Sequence, residues 1–178
     1  MKTINKDLRT IALLLVALVS YGQDVEKSNL RYRSWSVTPI EVYDFSSGNQ
    51  DLFSGVLPFS ISTDLAFSLN ESLFSISATY GEESGIFSGS ANFKQISLLY
   101  GREFELNEWL FFETHTGGGM FFYNSTDLTK GVSELAIPLV GKLRFKTGNK
   151  FSIGLRLSYI FNSFNNLYSA GLSLQWTG

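Results

Sequence analysis

From Phe59 to Leu69 the chain alternates residue by residue. Phe59, Ile61, Thr63, Leu65, Phe67 and Leu69 are set against Ser60, Ser62, Asp64, Ala66 and Ser68. Period two puts successive side chains on opposite faces of an extended strand. The pattern returns at 74–80, at 151–161 and at the end of the chain. There Tyr168, Ala170, Leu172, Leu174 and Trp176 face Ser169, Gly171, Ser173 and Gln175. In each case one face is large and apolar, and the other is small and polar. A chain built from such segments has to form a sheet whose two sides differ sharply.

Four further segments complete a set of eight candidate strands: about 35–45, 94–100, 110–122 and 135–145. The connections alternate in length. Residues 46–56, 81–92 and 123–133 are long, and 162–166 is intermediate. Asn70-Glu71, 105–108 and 146–150 are short. That rhythm fits an all-β, eight-stranded antiparallel up-and-down transmembrane barrel, with short turns at one end and loops at the other. Closure removes the free strand edges and satisfies the backbone without water. Pro39 and Pro138 lack a ladder donor, so each is expected at a bulge, a strand end or a strand start.

Alternation alone does not say which face is outside. A soluble, lipocalin-like barrel is apolar inside and charged outside. Here only 17% of residues are charged, against 16 Phe, 8 Tyr and 3 Trp. The polar faces are mostly Ser, Gly and Thr, which suits a narrow interior. Aromatics near strand ends (Phe59, Tyr80, Tyr100, Trp109, Phe122, Phe151, Phe161, Tyr168, Trp176) match the girdles of a membrane barrel.

The N-terminus reads as a cleavable signal peptide over 1–22. It has a basic n-region (Lys2, Lys6, Arg9), an apolar run from Ile11 to Val19, and small residues before a cut between Gly22 and Gln23. Residues 23–30 would be a short periplasmic lead-in, and 31–178 the barrel domain. Removing 1–22 takes away three basic residues and Asp7, leaving 11 basic against 15 acidic. That balance argues against nucleic acid as a partner. The chain has no cysteine, which excludes a lipoprotein anchor and thiolate metal sites. A single histidine excludes a multi-histidine metal site. No cofactor is expected.

The terminal segment Ser169-Ala170-Gly171-Leu172-Ser173-Leu174-Gln175-Trp176 resembles the C-terminal sorting signal of outer-membrane barrels: polar, any, Gly, two of any, hydrophobic, any, aromatic. Ser169, Gly171, Leu174 and Trp176 carry the match, with Thr177 and Gly178 following it. The stretch Leu135–Phe145, with Ile137-Pro138-Leu139, Lys142 and Phe145, resembles a strand common in barrels of Bacteroidota-type bacteria, and Tyr21-Gly22-Gln23 has the same character. Together the chain resembles the small eight-stranded outer-membrane class that includes the OmpA barrel domain and OmpX. The resemblance implies export to the outer membrane of a Gram-negative envelope. It also implies contact with outer-membrane lipid and lipopolysaccharide, and recognition by the barrel-assembly machinery.

If the apolar face meets lipid, Asp64, Glu113, His115, Glu134, Lys142, Arg144 and Arg156 point inward. Eight strands enclose just enough room for side chains to fill the interior. Buried charges need partners, so these seven residues are expected to form a salt-bridged plug. The alternative is a narrow pore lined by them. Glu113 and His115 could in principle do acid–base work. Some eight-stranded barrels are lipid A deacylases that use Ser, His and Glu, with the histidine two residues before the serine. Here Gly117 stands at the nucleophile position. The expected function is therefore non-enzymatic: envelope-structural, or surface-binding through the long loops to a partner the sequence does not identify. A lipid-modifying enzyme and a soluble lipid carrier are the alternatives.

Overall fold

The computed structural model describes residues 30–45, 58–83, 91–126 and 131–178. Its strands are β1 (Arg31–Phe45), β2 (Phe59–Leu69), β3 (Ser72–Glu83), β4 (Ala91–Asn107), β5 (Leu110–Ser125), β6 (Val132–Lys146), β7 (Phe151–Asn162) and β8 (Leu167–Thr177). Each pairs antiparallel with the next, and β8 pairs back onto β1, which closes the sheet into a barrel. The expected signal peptide, and most of the three longest connections, lie outside the described residues.

The register sets the shape. Paired residues can be followed once around the wall, from Ser72 through Arg102, Thr114, Gly141, Leu157, Ala170, Val42 and Phe59. The path returns to β3 at Glu82, ten residues above its start. A ten-residue stagger over eight strands tilts them by about 40° to the barrel axis. The interior is then narrow enough for side chains to fill.

The wall is apolar outward and polar inward. Ile61, Ile76, Leu98, Leu135, Leu139, Leu157 and Leu172 are exposed, Leu135 by 72%. Ser62, Ser77, Ser97, Ser152 and Ser173, on the other parity of the same strands, are buried. At the end with the short turns every strand contributes an outward aromatic: Trp35, Phe67, Phe74, Phe104, Phe112, Phe145, Phe151 and Trp176. Several pack across strands, with Trp35 stacked on Trp176 at 5.1 Å and Trp109 on Phe145 at 5.9 Å. This is the girdle expected where a barrel wall passes from hydrocarbon to headgroups.

Three expectations about elements need revision. β4 runs from Ala91 to Asn107, well beyond 94–100, and its Phe93 and Leu99 are inward apolar residues that break the simple alternation. Its turn is Glu108-Trp109 rather than 105–108. Pro39 does sit in a bulge, between Thr38 and Glu41. Pro138 does not: it lies within β6, opposite Ile160 on β7, with no register shift. The ladder from β6 to β5 instead lapses between the pairs Thr116↔Leu139 and Gly119↔Ala136. The missing donor coincides with that gap, so the strand passes Pro138 without a bulge.

Candidate functional site: an ion-paired interior beneath an apolar layer

The inward rows of seven strands meet in a polar network. Arg156 donates from Nη1 to Glu41 Oε1 at 2.5 Å, and its Nε lies 3.7 Å from Asp64 Oδ2. Lys142 Nζ reaches Asp64 Oδ2 at 2.9 Å and donates to Ser36 Oγ at 3.0 Å. Small hydroxyls fill the gaps: Ser62 and Ser169 donate to the two oxygens of Glu41 at 2.6 and 2.8 Å. A second group lies toward the turn end. Arg144 Nε is 2.7 Å from Glu113 Oε1, and its Nη2 also pairs with Glu103. Glu103 in turn accepts from Arg33 at 2.5 Å. His115 Nε2 is 3.1 Å from Glu113 Oε2, and Gln175 donates to Glu113 Oε1 at 3.3 Å.

The fully buried charges balance: Glu41, Asp64 and Glu113 against Lys142, Arg144 and Arg156. Each is also hydrogen-bonded or paired, which is what makes burial of ions tolerable. Of the seven residues expected inside, Asp64, Glu113, His115, Lys142, Arg144 and Arg156 are in this network. Glu134 is not. It stands at the loop end of β6, half-buried, accepting a 2.5 Å hydrogen bond from Ser163.

Three network members escaped the sequence reading. Glu41 faces inward only because the Pro39 bulge shifts the parity of β1. Glu103 continues the inward row Gln95, Ser97, Leu99, Gly101 past the expected end of β4. Arg33 follows from the irregularity between Tyr32 and Ser34.

A second missed feature lies above the network. Tyr43, Phe93, Phe121, Ala136, Ile160 and Leu167 form one buried apolar cluster near the loop ends of their strands. Phe93 and Phe121, both fully buried, stack at 5.5 Å, and Tyr43 meets Phe93 edge-on at 4.8 Å. Gly81 makes room for it: a Cβ there would come within 2.1 Å of the Phe93 ring. The adjacent pair Phe121-Phe122 was the available signal, because two neighbouring aromatics in a strand must put one ring on each face. Apart from inward apolar residues such as Ala66, Leu73 and Leu99, the interior is thus polar toward its turn end and apolar at its loop end.

Among the described residues no hydroxyl is bonded to the acid–base pair. His115 Nδ1 has no hydrogen-bond partner, and the ring lies across Gly101, where a Cβ would sit 2.5 Å from Nδ1. Thr114 and Thr116 are on the outer wall, and Gly117 offers no hydroxyl. Among the described residues no group of three or more His, Cys, Asp or Glu could hold a metal.

The terminal-strand residues lie on the closing seam. Ser169 is inward and bonded to Ser158 at 2.6 Å. Gly171 passes Ile40 so closely that a Cβ would come within 2.6 Å of its carbonyl oxygen. Leu174 pairs with Val37, and Trp176 pairs with Trp35.

No protein-family model matches the chain, and no curated protein matches its sequence. Solved structures do match it in fold. Ail, the attachment invasion locus protein of Yersinia pestis, is 15% identical with a TM-score of 0.53, over 83% of this chain and 99% of that one. Neisserial surface protein A is 10% identical with a TM-score of 0.61, over 83% and 97%. The N-terminal β-barrel domain of Pseudomonas aeruginosa OprF is 11% identical with a TM-score of 0.55, over 84% and 100%. The chain therefore has the fold of these small eight-stranded outer-membrane barrels.

Proposed function

We propose that this protein is a non-enzymatic integral outer-membrane barrel, exported by the signal peptide at 1–22, with a closed interior and a surface-binding role carried by its loop end. The observation behind this reading is the inverted polarity of the wall. A band of exposed leucine, isoleucine and aromatic side chains surrounds a core of paired charges and serines. Such a surface is stable against lipid and would aggregate in water. Outer-membrane lipid and lipopolysaccharide would cover the band. The assembly machinery would read the terminal strand through Gly171, Leu174 and Trp176. Attachment, the activity named for the Yersinia protein of the same fold, supports a surface-binding role over a purely structural one. The buried Glu113–His115 pair, without a bonded hydroxyl, favours neither a deacylase nor another acyl-transfer enzyme.

Cell fractionation with a heat-modifiability assay tests the placement. The protein is expected in outer membranes, migrating faster on unboiled gels than after boiling. Recovery in the soluble fraction without detergent would refute it. Two further readouts address activity. Purified barrel in planar bilayers is expected to show no steady conductance. Lipid A from cells with and without the gene is expected to have the same acyl pattern; a difference abolished by His115→Ala would establish an enzyme instead.

A further inference from the structure

The outward row of β4 carries a cation near each end. It runs from Lys94 through Ile96, Leu98 and Tyr100 to Arg102, and all five side chains are exposed. From Lys94 to Arg102 the strand, tilted by about 40°, rises about 20 Å. The apolar band of a membrane barrel is about 25 Å tall, so the two cations stand at its edges. Arg102 lies within the turn-end girdle, two residues from Phe104. A charge on a lipid-facing wall is tolerated where its stem lies along apolar surface and its head reaches the headgroups.

The surroundings of Arg102 are polar in a mostly apolar wall. The pairing register sets Ser72 of β3 on one side of it and Thr114 of β5 on the other. Ser72 Oγ and the Tyr100 hydroxyl are 3.1 Å apart, and that hydroxyl also interacts with the Arg102 guanidinium. Next in the row, at Gly141 of β6, no side chain covers the wall; a Cβ there would meet only the Phe112 ring, at 3.8 Å. Two aromatic pairs frame the row. Phe74 meets Tyr100 at 5.4 Å on the membrane side, and Phe104 meets Phe112 at 6.4 Å on the turn side.

The chemistry of this row matches a lipid phosphate. Among the described residues no carboxylate lies within ion-pair distance of Arg102. Its neighbour Glu103 is on the inward parity and pairs with Arg33 and Arg144. A guanidinium presents its N–H donors as a planar fork, which fits the two unesterified oxygens of a phosphodiester. The Ser72 and Thr114 hydroxyls add donors on either side. The framing rings offer apolar contact to glycerol and to the first acyl carbons.

We infer that Ser72, Tyr100, Arg102 and Thr114 form a binding site for the phosphodiester of one glycerophospholipid in the leaflet at the turn end. This deepens the reading that lipid covers the band, and rests on it. Native mass spectrometry of the full chain in octyl glucoside micelles tests it. The probe is dioleoylphosphatidylglycerol; the contrast is a dioleoyl glucosyl diacylglycerol, which has the same acyl chains and no phosphate. One phosphatidylglycerol is expected to stay bound at collision energies that strip the glycolipid. Arg102→Gln should weaken its retention about tenfold, and Arg102→Lys about threefold, since an ammonium keeps the attraction and loses the fork. Lys94→Gln removes the cation about 20 Å away, beyond effective electrostatic reach, and should leave retention within about twofold. Asp24 and Glu26 stand shortly before β1 in the sequence, and Asp24→Asn/Glu26→Gln should leave retention unchanged. Unboiled gels verify that each variant is a folded barrel. Equal retention of the two lipids, unchanged retention by Arg102→Gln, an equal loss from Lys94→Gln, or a gain from the Asp24/Glu26 variant overturns the site. Fractionation reads the placement separately. Selective phosphatidylglycerol binding by a protein absent from the outer membrane would sink the placement and keep the site.

Discussion

Arg156 shows how much depends on one side chain inside this wall. It neutralises Glu41 directly and adds to the neutralisation of Asp64 beside Lys142. Arg156→Met would leave Glu41 buried and unpaired, a loss of about 3–5 kcal/mol. The midpoint of urea unfolding, followed by the gel shift, should fall accordingly. The double variant Arg156→Met/Glu41→Gln restores charge balance and should recover most of the loss. A double variant as unstable as the single one would mean that the pair is not a coupled unit. Asp64, Glu113, His115, Lys142, Arg144 and Arg156 were legible in the sequence, because each stands on the strand parity opposite the large outward apolar residues, although only the rows of Asp64 and Arg156 are mostly small and polar. Glu41 was not, since a one-residue bulge reverses parity and leaves no trace in composition. Glu134 misled for a different reason: its parity is inward, but its height is at the rim, and alternation carries no information about height.

At the scale of elements, β8 was readable almost to the residue and β1 was not. β8 alternates without interruption, whereas β1 carries two register irregularities against β2. These two strands form the closing seam, and that seam depends on close approach. Gly171 lets β8 pass the Ile40 carbonyl, and Trp176 stacks on Trp35 while also meeting Phe151 at 5.2 Å. Leu174→Ser/Trp176→Ser removes the outward apolar end of β8. The heat-modifiable, membrane-inserted fraction should drop severalfold in cells. If the variant assembles as well as the parent, the terminal strand is not the recognition element. Pro138 shows a limit of reading one strand at a time. Whether a proline is tolerated depends on which neighbour its missing N–H would have met, and that is a property of the sheet.

For the whole molecule, barrel closure and polarity followed from alternation and loop rhythm. The division of the interior into two zones did not. Inward apolar residues such as Phe93 and Leu99 look like errors in a polar row until all eight strands are brought to one register. Phe93→Ala should destabilise the barrel by about 3–5 kcal/mol by leaving a cavity where the rings meet. The layer also has an electrical consequence. Paired ions and serines polarise readily, but a slab of phenyl and alkyl groups does not. A voltage applied across a planar bilayer holding this barrel would therefore fall mainly over that slab rather than over the full height of the wall. Dielectric breakdown of the barrel should begin there, and Phe93→Ala/Phe121→Ala should lower the voltage at which transient current bursts appear. Bursts at the same voltage in parent and variant would mean that the field is borne elsewhere in the wall.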